Sequence, residues 1–330
     1  MMPKSSQDGF IRRLVTGRTE VPVIAFAKTL IIVSTIFMVL SAGSLAVRGL
    51  NLSIEFTGGS SFQVEDAKND WEPRMIETKL SSLGIPDSIV QEVNEGTGAL
   101  VSTTALTEIE GVDDVEVAKE IETITGGTVS ISTVGPSWGE TVTRQALVAL
   151  VVFILLTVGY LSWRFEFRMA AAAILALFHD ILVAVGVYSI FQWSVSPATI
   201  TAFLTIMGYS LYDTVVVFDR VREVAEEHTD EPDWPAIVNE AINHVLIRSI
   251  SMSITSLLPV ISLIIIGSGL LGATTLLDLA VALAIGMGLG VYSSIGLASP
   301  LLVWFKTGRL DHTKKEVLEH ADEVANETTT

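Results

Sequence analysis

Six runs of apolar residues, each near the length that crosses a bilayer, constrain this chain more than any other feature. A spanning helix needs about 20 consecutive, mostly apolar residues. The runs are Val23–Val47, Ala146–Trp163, Met169–Phe191, Pro197–Phe218, Ile250–Leu271 and Leu276–Phe305. Inside hydrocarbon each backbone polar group must be satisfied within its own segment, so the runs predict transmembrane helices. The first is too long for a cleavable leader and lacks a small-residue cleavage site, so it reads as a span. Composition agrees: 49% hydrophobic and 17% charged residues are too apolar for an ordinary soluble domain.

Lys and Arg set the orientation. With a cytoplasmic N-terminus, that side holds fourteen: Lys4, Arg12, Arg13, Arg18, Lys28, Arg164, Arg168, Arg220, Arg222, Arg248, Lys306, Arg309, Lys314 and Lys315. The opposite side holds six, Arg48, Lys68, Arg74, Lys79, Lys119 and Arg144, all in or beside one insert. The expected plan is a cytoplasmic tail (1–22), span 1 (23–47), an extracytoplasmic insert (48–145), spans 2–6 (146–305) and a cytoplasmic tail (306–330).

Within the insert the period changes. Ser60–Glu65 alternates as a strand, and Trp71–Leu83 has helical spacing ending at Gly84. Ser88–Asn94 and Ala99–Ala105 read as strands about a turn at 95–98. Val112–Ile124 reads as a helix and Thr128–Val134 as a last strand. The order βαββαβ predicts a ferredoxin-like α+β domain between spans 1 and 2.

Net charge is −17, and from Asn51 to Glu140 there are 17 acids against 4 bases. So acidic a chain has no basic footprint for nucleic acid. The acidic insert is either a docking surface for a basic partner or a hydrated surface suited to high salt, as in a halophile. With no Cys, disulfides, thiolate metal sites and cysteine nucleophiles are excluded. No metal-binding or phosphate-loop motif occurs, so no metal, cofactor or enzymatic activity is expected.

A charge at the bilayer centre costs about 2.5–3.5 kcal/mol on insertion scales, so intramembrane ionisable residues point to a task or a partner. Asp213, in GYSLYDTVVVFDR, shares a polar helix face with Tyr209, Ser210 and Thr214. A lone carboxylate among Val and Leu can bind and release a proton; the alternative is a static ion pair or hydrogen-bonded cap. Arg248 begins span 5 near the same depth. It either pairs with Asp213 or snorkels to the interface. Ser249, Ser253 and Ser256 continue one face of that span. His179 and Asp180 lie mid-span 3, either as a relay dyad or as an interhelical hydrogen-bonded pair. Asp278, near the outer end of span 6, is expected to be solvated. Gly286, Gly290, Ser294 and Ala298 form a small-residue stripe, for internal packing or for a second subunit.

Nearly end to end the chain resembles the SecF family of protein-export membrane proteins, of the resistance-nodulation-division superfamily. The resemblance rests on GLNLSIEFTGGS (Gly49–Ser60), VGPSWGETVTRQAL (Val134–Leu147), GYSLYDTVVVFDRVRE (Gly208–Glu223), INHVLIRSISMSITS (Ile242–Ser256) and GVYSSIGLASPLL (Gly290–Leu302). The span 4 motif is the most specific. Tyr212 departs from it, standing where Asn is usual, which bears on the hydrogen bonding around Asp213. The resemblance implies SecD as partner, a SecY-type translocon, secretory polypeptides as substrates and the proton motive force as energy source. It further implies that Asp213 is the coupling carboxylate, Arg248 its basic partner, and Gly58-Gly59 a flexible joint. Two alternatives stand beside it: a half-transporter exporting lipid or small solutes by ion antiport, and an assembly scaffold with structural charges.

Overall fold

The computed structural model describes residues 21–85, 88–93, 97–104, 106, 113–227, 232–269, 274–310 and 312. The N-tail bases Lys4, Arg12, Arg13 and Arg18, the C-tail bases Lys314 and Lys315, and the turn residues Glu95 and Gly96 lie outside them, as do Ala105 and Val112.

Among the described residues, six helices are long and apolar enough to cross a membrane. The first is α1 (Ala27–Arg48), preceded by a single 3₁₀ turn at Ile24–Phe26. A short strand β1 (Asn51–Leu52) and a single turn α2 (Ile54–Thr57) lead into the inserted domain. That domain runs β2 (Gly59–Glu65), α3 (Pro73–Ser82), β3 (Ser88–Val93), β4 (Gly98–Thr103), α4 (Asp114–Thr125) and β5 (Thr128–Val134). Then come α5 (Pro136–Arg164), α6 (Phe167–Phe191), a two-residue strand β6 (Ser194–Val195), α7 (Pro197–Glu227), α8 (Trp234–Gly269) and α9 (Thr274–Ser293). A π turn at Ser294–Ala298 joins α9 to α10 (Ser299–Thr307), and the two complete the sixth span.

The domain sheet has the order β3-β4-β2-β5 with each neighbouring pair antiparallel. β2 and β3 therefore run parallel with β4 between them, the split βαβ arrangement. Alternation along the strands sends Phe62, Val64, Ala99 and Val101 to one face. There they meet Ile76 and Leu80 of α3 and Val117 and Ile121 of α4, all buried. The domain is thus a ferredoxin-like α+β unit, as its periodicity predicts. Its other face carries Ser61, Gln63, Ser102, Ser130 and Ser132 above a cavity of about 420 Å³, floored by Ser53, Glu55, Ser194, Ser196 and Asp278. Asp278 is half-buried in this space between sheet and bundle.

The domain is seated on the α6–α7 connection. β1 pairs in parallel with β6. The carbonyl of Gln192 accepts from Asn51 Nδ2 at 3.1 Å and from Gln91 Nε2 of β3 at 2.9 Å. Gly58 and Gly59 take positive φ, +73° and +139°. A Cβ on Gly59 would strike the carbonyl oxygen of Thr103, so only glycine lets β2 run this close to β4.

In the bundle α6, α7 and α9 are central, α1 packs on α6, and α8 packs on α7 and α9. Two helices run on beyond their apolar cores: α7 continues to Glu227, and α8 begins at Trp234, well before Ile250. The early part of α8 is helical because Ile237, Val238, Ala241, Ile242 and Val245 bury one face against the bundle. At that end Asn243 exchanges hydrogen bonds with the backbone of Val21, at 2.9 and 3.0 Å, and Arg164 pairs with Asp219 at 2.6 Å.

Candidate functional site

Helix α7 carries the polar centre of the bundle. Its positions 209, 210, 213 and 214 lie three and four residues apart, so they share one side facing α6, α8 and α9. Ser210, Asp213 and Thr214 are buried, Asp213 with 8% of its surface exposed. Ser249 of α8 donates to Asp213 Oδ1 at 2.6 Å, while the buried Oδ2 has no hydrogen-bond partner among the described residues. Thr214 Oγ1 lies 2.9 Å from Ser294 Oγ and donates to the Ser210 carbonyl at 3.1 Å. Tyr209 meets Ser256 of α8 hydroxyl to hydroxyl at 2.8 Å.

Arg248 lies beside this centre without entering it. Successive residues on a helix point about 100° apart, so with Ser249 turned toward Asp213 its neighbour is turned away. Arg248 is exposed on the bundle surface and donates from Nη2 to Tyr212 Oη at 3.3 Å. Among the described residues no ion pair within 4 Å joins it to Asp213. Tyr212, the residue that departs from the usual motif, is thus the one that holds Arg248.

A second buried carboxylate sits across α7. Asp180 Oδ2 accepts from Ser210 of α7 and Ser293 of α9, each at 2.6 Å, and Oδ1 lies 3.0 Å from Nδ1 of His179. The pair expected in span 3 is thus a contact between neighbours that also ties three helices together. Ser293 was not singled out by its sequence context, though the Ser293-Ser294 pair inside an apolar run was the available signal. The small-residue stripe packs inward: a Cβ on Gly286 would run into Ile206, and one on Gly290 would lie 3.0 Å from Ser210. Among the described residues no group of three His, Cys, Asp or Glu side chains is placed to hold a metal ion.

Six spans, a ferredoxin-like domain between the first two and carboxylates buried among the helices define a polytopic membrane protein built around an intramembrane polar centre. Residues 116–308 match the model of the protein export membrane protein SecD/SecF C-terminal family, and residues 43–65 match the SecD/SecF GG motif. The chain is 38% identical over 292 residues to the protein translocase subunit SecF of Streptomyces coelicolor, covering 87% of this chain and 77% of that one. It is 33% identical to SecF of Desulfurispirillum indicum, covering 88% and 94%. The crystal structure of SecDF from Thermus thermophilus, a translocon-associated membrane protein, superposes with a TM-score of 0.78 at 31% identity. That match covers 89% of this chain and 39% of the SecDF chain, so the protein spans about two fifths of that longer relative. The chain belongs to the SecD/SecF family.

Proposed function

We propose that this protein is an auxiliary subunit of the Sec protein-export machinery, working beside SecD and drawing on the proton motive force through Asp213 to promote translocation of secretory polypeptides. The observation that carries the reading is the carboxylate itself: buried in the bundle, held at Oδ1 by the Ser249 hydroxyl, with no hydrogen bond to Oδ2 among the described residues. Such a group can gain or lose a proton with little rearrangement of its surroundings. Its relatives are named protein translocase subunits, which favours polypeptide export over small-solute transport. A half-transporter of lipid or small solutes would be favoured by a cavity inside the outer domain; the 420 Å³ space lies beneath the sheet, outside the domain's apolar core.

SecD as partner is supported from two sides. The Thermus relative joins SecD and SecF in one name and one longer chain. In addition, the exposed side of α7 and α8 carries Thr201, Thr205, Tyr212 and Arg248, which suits a protein neighbour better than lipid. In this reading Arg248 serves both Asp213 and that neighbour, and residues 48–145 face outward with both termini cytoplasmic, as the Lys and Arg distribution favours. Gly58-Gly59, between span 1 and the sheet, would be the joint about which the outer domain moves against a SecY-type channel. One charge crossing 100 mV is worth about 2.3 kcal/mol, enough to bias two domain positions about fifty-fold.

The test is pulse-chase maturation of a Sec-dependent secreted protein in cells whose only copy is wild type or Asp213→Asn. Slow maturation at equal membrane abundance is the expected result. Unchanged maturation would leave the scaffold reading as the better account.

A further inference from the structure

Helix α5 is buried at its two ends and only partly covered between them. At the domain end Gly139 lies so close to α2 that a Cβ would strike the Phe56 carbonyl. At the other end Thr157 and Leu161 are buried. Between Gly139 and Thr157 no residue of α5 is buried. The gap this leaves is a groove of about 310 Å³, walled by Leu147 and Leu150 of α5, Ile181 and Val185 of α6, and Phe203 and Met207 of α7. Phe56 and Val195 line its domain-side end, and apart from Thr143 every lining side chain is apolar. An apolar cavity of about 150 Å³ already stays dry and takes up benzene, so a space twice that size calls for an apolar occupant.

The groove lies at acyl-chain depth. Ile181 and Met207 each stand ten residues from the domain-side ends of their helices, Phe191 and Pro197. It therefore reaches about 15 Å into the bundle. That is half of the roughly 30 Å hydrocarbon core, the reach of one leaflet. At its domain side the exposed rings of Phe191 and Trp193 stack at 4.9 Å, an aromatic pair of the kind that marks a membrane interface. Arg144 stands near the same level, just before the apolar run that opens at Ala146. It is exposed, and among the described residues it has no hydrogen bond or ion pair. Arg48, by contrast, donates to the Ile190 carbonyl at 2.8 Å. Glu140, one turn further out than Arg144, is also exposed and makes no ion pair with it. Leu147 follows Arg144 by three residues, hence on the same side of α5 and about 4.5 Å deeper.

We propose that this groove binds an anionic phospholipid of the domain-side leaflet, with one acyl chain between α5 and the α6–α7 pair and the phosphate on Arg144. A guanidinium matches two phosphate oxygens at once, and an anionic headgroup brings no amine of its own to compete for them. A partner's helix suits the groove less well. The polar side of α7 proposed to meet SecD, with Thr201, Thr205 and Tyr212, lies about 100° or more round the helix axis from Ile200, Phe203 and Met207, which face the groove. The site rests on no part of the export reading.

The test uses the full chain in nanodiscs containing phosphatidylglycerol or phosphatidylcholine with a photoactivatable diazirine at the same position of one acyl chain. Labelled residues are mapped by mass spectrometry. Phosphatidylglycerol should label the groove residues Leu150, Ile181 and Phe203 in preference to the outward-facing Val148 and Leu155. It should do so about fivefold more than phosphatidylcholine, the factor that one basic residue supplies near an anionic headgroup. Arg144→Gln, a change at an exposed position, should abolish that preference at an unchanged melting temperature. Ala146→Phe, which fills the groove, should abolish the groove labelling itself. Labelling spread evenly round α5 would overturn the site. Equal labelling by the two lipids, or a preference that survives Arg144→Gln, would overturn the headgroup contact. With SecD bound the labelling should persist; its loss would give the groove to a helix of the partner and overturn the lipid. Asp213→Asn should label as wild type does, so this site and the export reading fail separately.

Discussion

Arg248 gives its hydrogen bond to Tyr212 at 3.3 Å rather than to Asp213, the next residue along α7. Both partners are exposed on the bundle surface, so the contact itself is worth about 1 kcal/mol or less. If the charge of Arg248 is what the coupling cycle needs, the tyrosine hydroxyl is dispensable. Tyr212→Phe should leave both thermal stability and secreted-protein maturation near wild type, while Arg248→Met should stop proton-driven maturation. Equal defects in the two variants would make the contact, rather than the charge, the functional element.

Ser249 donates a hydrogen bond to the Asp213 carboxylate, at 2.6 Å. Ser249→Ala should therefore cost about 1–3 kcal/mol, the penalty for a buried polar group left without its partner. Ser253 is the control, since among the described residues its hydroxyl bonds only back to the Ser249 carbonyl, at 2.7 Å, and Ser253→Ala should cost a few tenths of that. Thermal unfolding of the purified chain in detergent separates the two. Combining Ser249→Ala with Asp213→Asn should give less than the sum of the single effects, because both remove one interaction. Full additivity would mean that the hydroxyl acts elsewhere.

The spans and the βαββαβ order were legible because both are local signals: apolar runs of bilayer length, and periods of two and 3.6. Helix ends were less so. The apolar run of α8 begins near Ile250, yet the helix starts at Trp234, because burial of Ile237, Ala241 and Ile242 depends on helices far off in the chain. The site divides in the same way. Asp213, Arg248, His179 and Asp180 were visible as rare polar residues in apolar runs. Their partners were not, because equal depth says nothing about rotation around the helix axis. Asp213 and Arg248 share a depth in sequence, but it is Ser249 that α8 turns toward the carboxylate. The small-residue stripe was visible too, and only the packing of α7 on α9 decided what it faces.

That packing makes a paired prediction. A Cβ on Gly286 would collide with the side chain of Ile206, while one on Gly288 would meet nothing within 4 Å. Gly286→Ala should lower stability by about 1–3 kcal/mol, as overpacking of a tight core does. Gly288→Ala, in the same helix, should be neutral or stabilising by up to about 1 kcal/mol through helix propensity. Melting temperatures in one detergent decide the matter. Equal effects would mean that α7 and α9 lie further apart than described.

The acidic insert carries 17 acids against 4 bases between Asn51 and Glu140. Among the described residues its one ion pair is Lys79–Glu120 at 3.2 Å, so most of these carboxylates repel one another without compensation. The Debye length falls from about 30 Å at 0.01 M salt to about 3 Å at 1 M, which screens all but the nearest neighbours. Stability should therefore rise with salt. A gain of 1 kcal/mol would lift the melting temperature of a domain this size by about 4–8 °C. Sodium and potassium chloride should act equally, since screening does not distinguish them. A melting temperature flat in salt would mean that the repulsion is small as folded, and would favour a docking face for a basic partner over a surface adapted to high salt.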